Sequence, residues 1–245
     1  MTAPSINRAL QRSLELGEIG VQVAAYLGEE LIVDACAGHT SEDKAQLVDA
    51  RTLFPIFSVS KAIVATSVHL QAERGLIEYD APLARYWPEY GTLGKESVTV
   101  RHVLTHRAGV PQMPEGSNPE TAADWQWMVR GLEQQRPVYP PGSRNTYLSI
   151  VFGWLLGEVV RRTDPKRRSY PRFVGEEICG PLGMDAYWIG IPEHERGRVA
   201  SLSYPGQPPA PPVDSLLHRA VPRSLATVAS VFNLPDVQRA CLPAV

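Results

Sequence analysis

The feature that most constrains the fold of this chain is a run of small and apolar residues from Ser58 to Arg74, which ends at Gly75. Apolar side chains recur along the run at helical spacing and are not confined to one face. The run therefore predicts a central helix that is buried on nearly all sides. A chain of 245 residues is long enough to pack other elements around it, as one sizeable domain or as two lobes.

The start of this helix contains a pair of residues that points to chemistry. Ser58 and Lys61 are almost one helical turn apart, so the hydroxyl and the ammonium share a face. A serine hydroxyl is a weak nucleophile until a neighbour takes its proton, which a desolvated lysine is able to do. Ser58 follows the extended-looking segment 54–57, so we expect it near the helix N-terminus, where backbone N–H groups stabilise an oxyanion.

The Ser-x-x-Lys pattern also has a simpler interpretation. By itself it matches often by chance, with the serine capping a helix and the lysine in solvent. The neighbours of Lys61 are small or apolar, however, and a buried lysine without a role is rare. This favours a catalytic pair. Ser60 is disfavoured as the nucleophile, because it is adjacent to Lys61 and faces elsewhere on the helix.

Tyr147 is the third candidate site residue. It follows a Pro140-Pro141-Gly142 turn and opens an apolar helix predicted over residues 147–162. A phenol beside an ammonium group is able to carry a proton between a nucleophile and a leaving group. In isolation, a core tyrosine with a satisfied hydroxyl is the better interpretation.

The remaining periodicity predicts an α/β fold of the α+β kind. An antiparallel sheet lobe flanked by helices is predicted from residues 1–78 and about 170–245, and a mainly helical lobe from about 79–169. The individual elements are a helix over 6–16, a hairpin of strands 20–26 and 31–37, helices over 98–107, 121–135 and 171–179, a strand over 186–189, an exposed proline-rich loop over 205–212, and a helical tail over 224–245.

Composition excludes several classes of function. The net charge is -2 and the pI is about 6.3, which gives no electrostatic footprint for nucleic acid or an anionic membrane. No apolar run is long enough to span a bilayer, and the N-terminus shows no export signal. Three cysteines, Cys36, Cys179 and Cys241, have no metal-like spacing and are expected to be reduced thiols. These features predict a cytoplasmic protein.

Several blocks occur in an order that resembles one known family. They are the Ser58–Lys61 block, the stretch 100–111 (VRHVLTHRAGVP), the Tyr147 block with 152–160 (FGWLLGEVV), and 180–184 (GPLGM). Over roughly residues 20–245 the chain resembles the class C β-lactamase-related serine hydrolases, which include penicillin-binding-protein-like carboxylesterases, D-alanyl-D-alanine peptidases and acyltransferases. The resemblance implies a β-lactamase/D-Ala-D-Ala peptidase-like fold.

The resemblance also implies roles for the site residues. Ser58 is expected to be the nucleophile, Lys61 its proton acceptor and Tyr147 the partner in proton transfer; the division of base duty is disputed in related enzymes. The expected substrate is a small-molecule ester, with no metal or organic cofactor. Where lactamases have Tyr-x-Asn, this chain has Tyr147-Leu148-Ser149, so Ser149 takes the substrate-binding position and the change favours an esterase.

The third active-site motif of the family (Lys-Thr-Gly, His-x-Gly or Trp-x-Gly) has no credible match. Residues 188–190 (WIG) fit the letters, but they follow the 180–184 block too closely and are interpreted as a decoy. The chain therefore resembles a truncated member that lacks the C-terminal strands. An unpaired hairpin edge would then favour self-association.

The sequence thus predicts a serine hydrolase that cleaves carboxylic esters through an acyl-serine intermediate. Two alternatives stay open: a β-lactamase or D-alanyl-D-alanine peptidase, and a catalytically silent fragment or binding remnant. A zinc site at His102 and His106, four residues apart, is disfavoured because residue 103 is Val rather than Glu and no third ligand is apparent.

Overall fold

The computed structural model describes residues 4–202, which contacts divide into two compact units. The first comprises residues 4–55 and 191–202, and the second comprises residues 56–190. The sequence-based division assigns residues 56–78 and 170–190 to the α/β lobe, whereas their contacts place them with the helices. The predicted proline-rich loop, helical tail and Cys241 lie outside the described residues.

The first unit contains one helix and a two-stranded antiparallel sheet. Helix α1 (Pro4–Glu15) precedes strands β1 (Gly20–Leu27) and β2 (Glu30–Gly38), which pair from Gly20↔Gly38 to Leu27↔Glu30. The two residues between the strands form a tight turn in which Gly28 has φ +62°, a conformation that glycine adopts without strain. The predicted helix and hairpin are confirmed.

Distant parts of the sequence meet in this first unit. A short 3₁₀ helix, Glu193–Arg198, leads into a segment that lies beside Leu53. The Leu53 N–H donates to the carbonyl of Arg198 at 2.9 Å, and the Ala200 N–H donates to the carbonyl of Leu53 at 2.8 Å. Backbone hydrogen bonds thus attach residues 191–202 to the segment that follows the hairpin.

The second unit is helical and contains the larger core. Its α-helices are α2 (Ser60–Glu73), α3 (Val100–Leu104), α4 (Pro119–Ala123), α5 (Trp125–Gln134), α6 (Val151–Thr163) and α7 (Tyr170–Val174), with 3₁₀ turns at Phe57–Val59, Leu83–Arg85 and Pro88–Tyr90 and a π-helical turn at Gly175–Cys179. Helix α6 is at the centre, with a run of fully buried apolar residues that includes Leu155, Leu156, Val159 and Val160. Among residues 4–202, no helix combines the length and the apolar character needed to cross a bilayer.

Helix α2 differs from the prediction in its burial. One face is buried and packs against α6; it includes Val64, Ser67 and Val68. The opposite face is exposed at Ala62 and Thr66, so the predicted burial on all sides is wrong for the described structure. The small side chains at these positions fit the apolar pattern of the sequence, but the structure exposes them.

The predicted end of α2 is confirmed in detail. The N–H of Leu76 donates to the carbonyl of Gln71 at 2.9 Å, and the N–H of Gly75 donates to the carbonyl of Ala72 at 3.0 Å. Gly75 has φ +72°, so these bonds form a Schellman motif that satisfies the last carbonyls of the helix.

Three predicted elements need correction. The helix predicted over 121–135 is two helices, because the Asp124 carboxylate accepts the N–H groups of Gln126 and Trp127 and starts a new helix. The helix predicted over 98–107 is only α3. Residues 186–189 form no strand in the described structure.

Lys95 is the lysine that this unit buries completely, with 0% exposure. Its ammonium donates to the carbonyl of Glu133, in the last turn of α5, at 2.9 Å and to that of Gln135, directly after the helix, at 2.5 Å. It also lies 5.1 Å from the centre of the Tyr90 ring. Burial lowers the pKa of this ammonium group. Lys95 therefore closes the C-terminus of α5 as a structural residue.

We expect Lys95→Met to lower the free energy of unfolding by about 2 kcal/mol, because two buried carbonyls lose their donor. Urea denaturation measures the change, and Lys44→Met, at an exposed position, serves as the control, with an expected effect below about 0.5 kcal/mol. An unchanged or higher stability of Lys95→Met would show that the cost of burying the ammonium cancels its bonds.

Candidate active site

Ser58 and Lys61 meet at the start of α2. Ser58 is in the middle of the 3₁₀ turn Phe57–Val59, and Lys61 is in the first turn of the α-helix. The Lys61 ammonium donates a hydrogen bond to the Ser58 hydroxyl oxygen at 3.1 Å. Ser58 is exposed and Lys61 is half-buried, so the hydroxyl is accessible while the ammonium is partly desolvated.

The residue before Ser58 has an unusual backbone. Phe57 has φ +42°, a left-handed conformation that is rare for a bulky side chain. The Val59 N–H donates to the carbonyl of Ile56 at 3.0 Å, which closes the turn around Ser58. Such strain persists only when the surroundings impose it, and it concentrates at functional sites. Here it lies directly before Ser58.

Lys61 also contacts the segment that precedes α6. Its ammonium donates to the carbonyl of Ser149 at 2.6 Å. It also lies over two aromatic rings, 4.8 Å from the centre of Tyr147 and 5.9 Å from that of Phe152. These contacts hold the ammonium group beside Ser58. Ser149 therefore takes part in the site through its carbonyl, a role that its predicted substrate-binding position did not reveal.

Tyr147 completes the triangle with Ser58 and Lys61. Partial burial raises the pKa of its phenol, but hydrogen bonds with Ser58 and Lys61 and the positive charge of Lys61 outweigh that effect and lower the pKa below the ordinary value. A phenol in this setting gives up its proton more readily than a free tyrosine. The structure thus brings together the three residues that the sequence nominates as catalytic.

Tyr147 is in an extended segment, and the prediction that it opens a helix is wrong. Helix α6 begins only at Val151. The N–H groups on either side of Tyr147 bond to one residue: Thr146 donates to the His106 carbonyl at 2.8 Å, and Leu148 donates to His106 Nδ1 at 3.1 Å. These two bonds attach the segment around Tyr147 to the turn that carries His106.

Further bonds attach the whole 138–148 segment to the turn at residues 105–109. The Val138 N–H donates to the Gly109 carbonyl at 2.8 Å, the Gly142 N–H donates to the Arg107 carbonyl at 2.8 Å, and the Asn145 amide donates to the Thr105 carbonyl at 2.9 Å. Sequence analysis missed this scaffold. The signal available was the turn chemistry at Gly109 and Gly142, both of which have positive φ.

The two histidines considered as zinc ligands have structural partners. His102 Nδ1 accepts the Thr99 N–H at 3.3 Å in a capping box at the start of α3. His106 Nδ1 accepts the Leu148 N–H. Among the described residues there is no group of three or more His, Cys, Asp or Glu side chains placed to hold a metal ion.

Comparison with known proteins places this geometry in a family. The beta-lactamase family model matches residues 6–239. The chain belongs to the beta-lactamase family. It is 33% identical over 189 residues to the "Esterase/beta-lactamase LipL" of Mycobacterium tuberculosis, an alignment that covers 76% of this chain and 43% of LipL.

Solved structures of this family share the fold. A family VIII carboxylesterase superimposes with a TM-score of 0.77 at 32% identity, covering 83% of this chain and 56% of the other. A penicillin-binding protein homologue from Caulobacter crescentus gives a TM-score of 0.74 at 32% identity, covering 84% and 56%. The chain therefore spans less than half of LipL and just over half of these structures. The predicted β-lactamase-like α/β fold is confirmed.

The lowered phenol pKa leads to a first prediction at this site. We expect Lys61→Met to raise the pKa of Tyr147, because the variant loses the charge and the hydrogen bond that favour the phenolate while burial remains. Tyrosinate absorbance, taken as the difference from matched Tyr147→Phe variants, measures the change. An equal or lower Tyr147 pKa in Lys61→Met would contradict the assignment.

The scaffold leads to a second prediction. Gly142 has φ +80°, and an added Cβ would lie 2.9 Å from His102 Nε2. We expect Gly142→Ala to lower the free energy of unfolding by roughly 1–2 kcal/mol. Gly153→Ala is the matched control: Gly153 is in helix α6 with nothing within 4 Å of a built Cβ, so alanine should be neutral or stabilising by up to about 1 kcal/mol. Equal effects of the two substitutions would refute the argument.

Proposed function

We propose that this chain contributes the nucleophile and the proton-transfer residues of a serine hydrolase that cleaves carboxylic esters through an acyl-serine intermediate. The observation that supports this proposal is the triangle of Ser58, Lys61 and Tyr147, with Lys61 Nζ 3.1 Å from Ser58 Oγ. Nucleophilic catalysis requires a hydroxyl next to a group that takes its proton and a second group that orients the pair.

The first half of the proposed reaction is acylation. Ser58 Oγ attacks the ester carbonyl carbon, and its proton passes to the Tyr147 phenolate, which the positive charge of Lys61 stabilises. The backbone N–H of Ser58 contributes to binding the oxyanion. The tetrahedral intermediate then collapses, the bond between the carbonyl carbon and the alkoxy oxygen breaks, and the proton on Tyr147 passes to the departing alcohol.

The second half is deacylation. Water gives a proton to Tyr147 while its oxygen attacks the acyl carbonyl carbon. The bond between that carbon and Ser58 Oγ then breaks, the carboxylic acid leaves, and Tyr147 returns the proton to Ser58 Oγ. Lys61 remains an ammonium throughout, donating to Ser58 and to the Ser149 carbonyl. This assignment makes Tyr147 the base and Lys61 the cation that tunes it, whereas the sequence-based interpretation gives Lys61 the proton-acceptor role.

Two features support an ester rather than an amide or β-lactam as the substrate. Ser149 replaces the asparagine of the Tyr-x-Asn motif, so the side-chain amide expected to contact an amide substrate is absent at that position. LipL carries the name of an esterase as well as a beta-lactamase, and the family VIII structure is that of a carboxylesterase. A β-lactamase or peptidase activity is the competing function.

The proposal predicts a sharp difference between two neighbouring serines. Ser58→Ala should lower hydrolysis of a short-chain p-nitrophenyl ester by about 10⁴-fold or more, because it removes the nucleophile. Ser60→Ala is the matched control, since Ser60 is a buried residue two positions away, and we expect it to retain most of the activity. A fluorophosphonate probe followed by peptide mapping identifies the labelled residue.

The outcomes separate the open alternatives. Ester hydrolysis that exceeds turnover of a chromogenic cephalosporin supports the esterase, and the reverse supports a β-lactamase. Labelling of Ser58 without turnover of either substrate would show that the pair is reactive but that the cleft lacks further groups. No labelling of Ser58 would overturn the hydrolase proposal and favour the binding remnant.

A further inference from the structure

His106 is a partly buried, titratable residue in direct contact with the proposed proton-transfer group. Its ring centre lies 4.8 Å from that of Tyr147, at an interplanar angle of 57°, and 5.2 Å from that of Phe152. These are the two rings over which Lys61 is held. His106 and the Lys61 ammonium therefore contact the same two aromatic rings.

His106 also accepts hydrogen bonds from the backbone on both sides of Tyr147. Its carbonyl accepts the Thr146 N–H at 2.8 Å, and its ring nitrogen Nδ1 accepts the Leu148 N–H at 3.1 Å. The second bond requires an unprotonated Nδ1, so the ring is the neutral tautomer with its proton on Nε2. His106 itself has φ +59°, a left-handed conformation that histidine tolerates better than most residues.

We propose that neutral His106 is a positioning residue that holds the Tyr147 phenol against Ser58 and Lys61, and that protonation of His106 releases it. The inference rests on the proposed function for its consequence in catalysis, but the positioning itself is a structural statement. It goes beyond that function because it assigns a role to a residue outside the Ser58–Lys61–Tyr147 triangle.

The charges around His106 favour its neutral form. The groups near the imidazole are the positively charged Lys61 on α2, the titratable Tyr147 and the neutral Phe152 on α6. His102 and Arg107 are the other titratable or charged residues next to His106 along the chain. Burial and the positive charge of Lys61 lower the pKa of His106 below the ordinary imidazole value. Protonation at Nδ1 would place an N–H against the Leu148 N–H and a second positive charge near Lys61. The bond to Leu148, which together with the Thr146 bond forms the clamp on Tyr147, would then break.

The sign of the expected pH effect follows. The bond from the Leu148 N–H to His106 Nδ1 is intact above the pKa of His106 and is lost as the pH falls through that pKa. The pKa itself lies below the ordinary imidazole value of about 6.5. Protonation of His106 should therefore add a further loss of the rate of ester hydrolysis, or of fluorophosphonate labelling of Ser58, to the acid limb that protonation of Tyr147 itself produces. The lowered pKa keeps the phenol in place at neutral pH.

Two substitutions separate the acceptor from the ring. His106→Asn places Oδ1 where Nδ1 was, keeps an acceptor for Leu148, does not titrate and tolerates the left-handed backbone. His106→Phe keeps an aromatic ring but has no acceptor. We expect His106→Phe to lower kcat about 10–100-fold through misplacement of the phenol. His106→Asn should recover most of that loss; it should keep the acid limb of Tyr147 and lack the further loss that protonation of His106 adds.

The control variant is His69→Asn, because His69 is exposed on α2 and bonds to Tyr79. It should leave the pH profile unchanged. The proposal is overturned if His106→Asn keeps the wild-type acid limb, or if His106→Phe and His106→Asn lose activity equally, since either result would reduce His106 to a packing residue.

A measurement that needs no turnover distinguishes failure of this inference from failure of the proposed function. Tyrosinate absorbance gives the Tyr147 pKa, which should rise in His106→Phe, as the phenol moves away from Lys61, and rise less in His106→Asn. With ¹⁵N-histidine NMR, the resonance absent from His106→Asn should report the Nε2–H tautomer at neutral pH. If both results are obtained but the protein hydrolyses no ester, the positioning role of His106 stands and the esterase proposal fails. An Nδ1–H tautomer, or a Tyr147 pKa that does not change in His106→Phe, would reject the positioning role.

Discussion

The two hydrogen bonds of the Lys61 ammonium connect the helix that carries Ser58 with the segment that carries Tyr147. One bond runs to Ser58 Oγ at 3.1 Å within the helix, and the other runs to the Ser149 carbonyl at 2.6 Å, across 88 residues of sequence. A charged donor makes stronger bonds than a neutral one, and partial burial strengthens them further. The relative position of hydroxyl and phenol depends on this single cation.

Burial alone does not distinguish the proposed catalytic lysine from a structural one in this molecule. Lys95 is completely buried and closes the end of α5, whereas Lys61 is only half-buried. The difference lies in their partners. Lys95 donates to two backbone carbonyls, and Lys61 donates to a hydroxyl that is open to solvent. A buried lysine does need a partner, but that partner is often a backbone acceptor and not a reacting group.

The turn at residues 105–109 acts as a scaffold for the Tyr147 segment. Backbone bonds from Val138, Gly142 and Thr146 run to this turn, and the His106 ring accepts the bond from Leu148. These bonds fix the segment around Tyr147 against the turn, and α6 begins after it, at Val151. A site residue is thus placed by the backbone of a segment that has no chemistry of its own, which is how rigid supports fix a reacting group.

The sequence is sufficient to predict the family, the α/β fold, the α1 helix, the hairpin and the grouping of Ser58, Lys61 and Tyr147 in one site. These follow from local signals: helical offsets, turn glycines and the order of short blocks. The three-dimensional arrangement was needed to see the break at Asp124, the exposed face of α2, the carbonyl contact of Ser149 and the bonds between His106 and the Tyr147 segment. Each of these depends on which segment a backbone donor or acceptor meets, and that choice is made by packing between residues far apart in the chain.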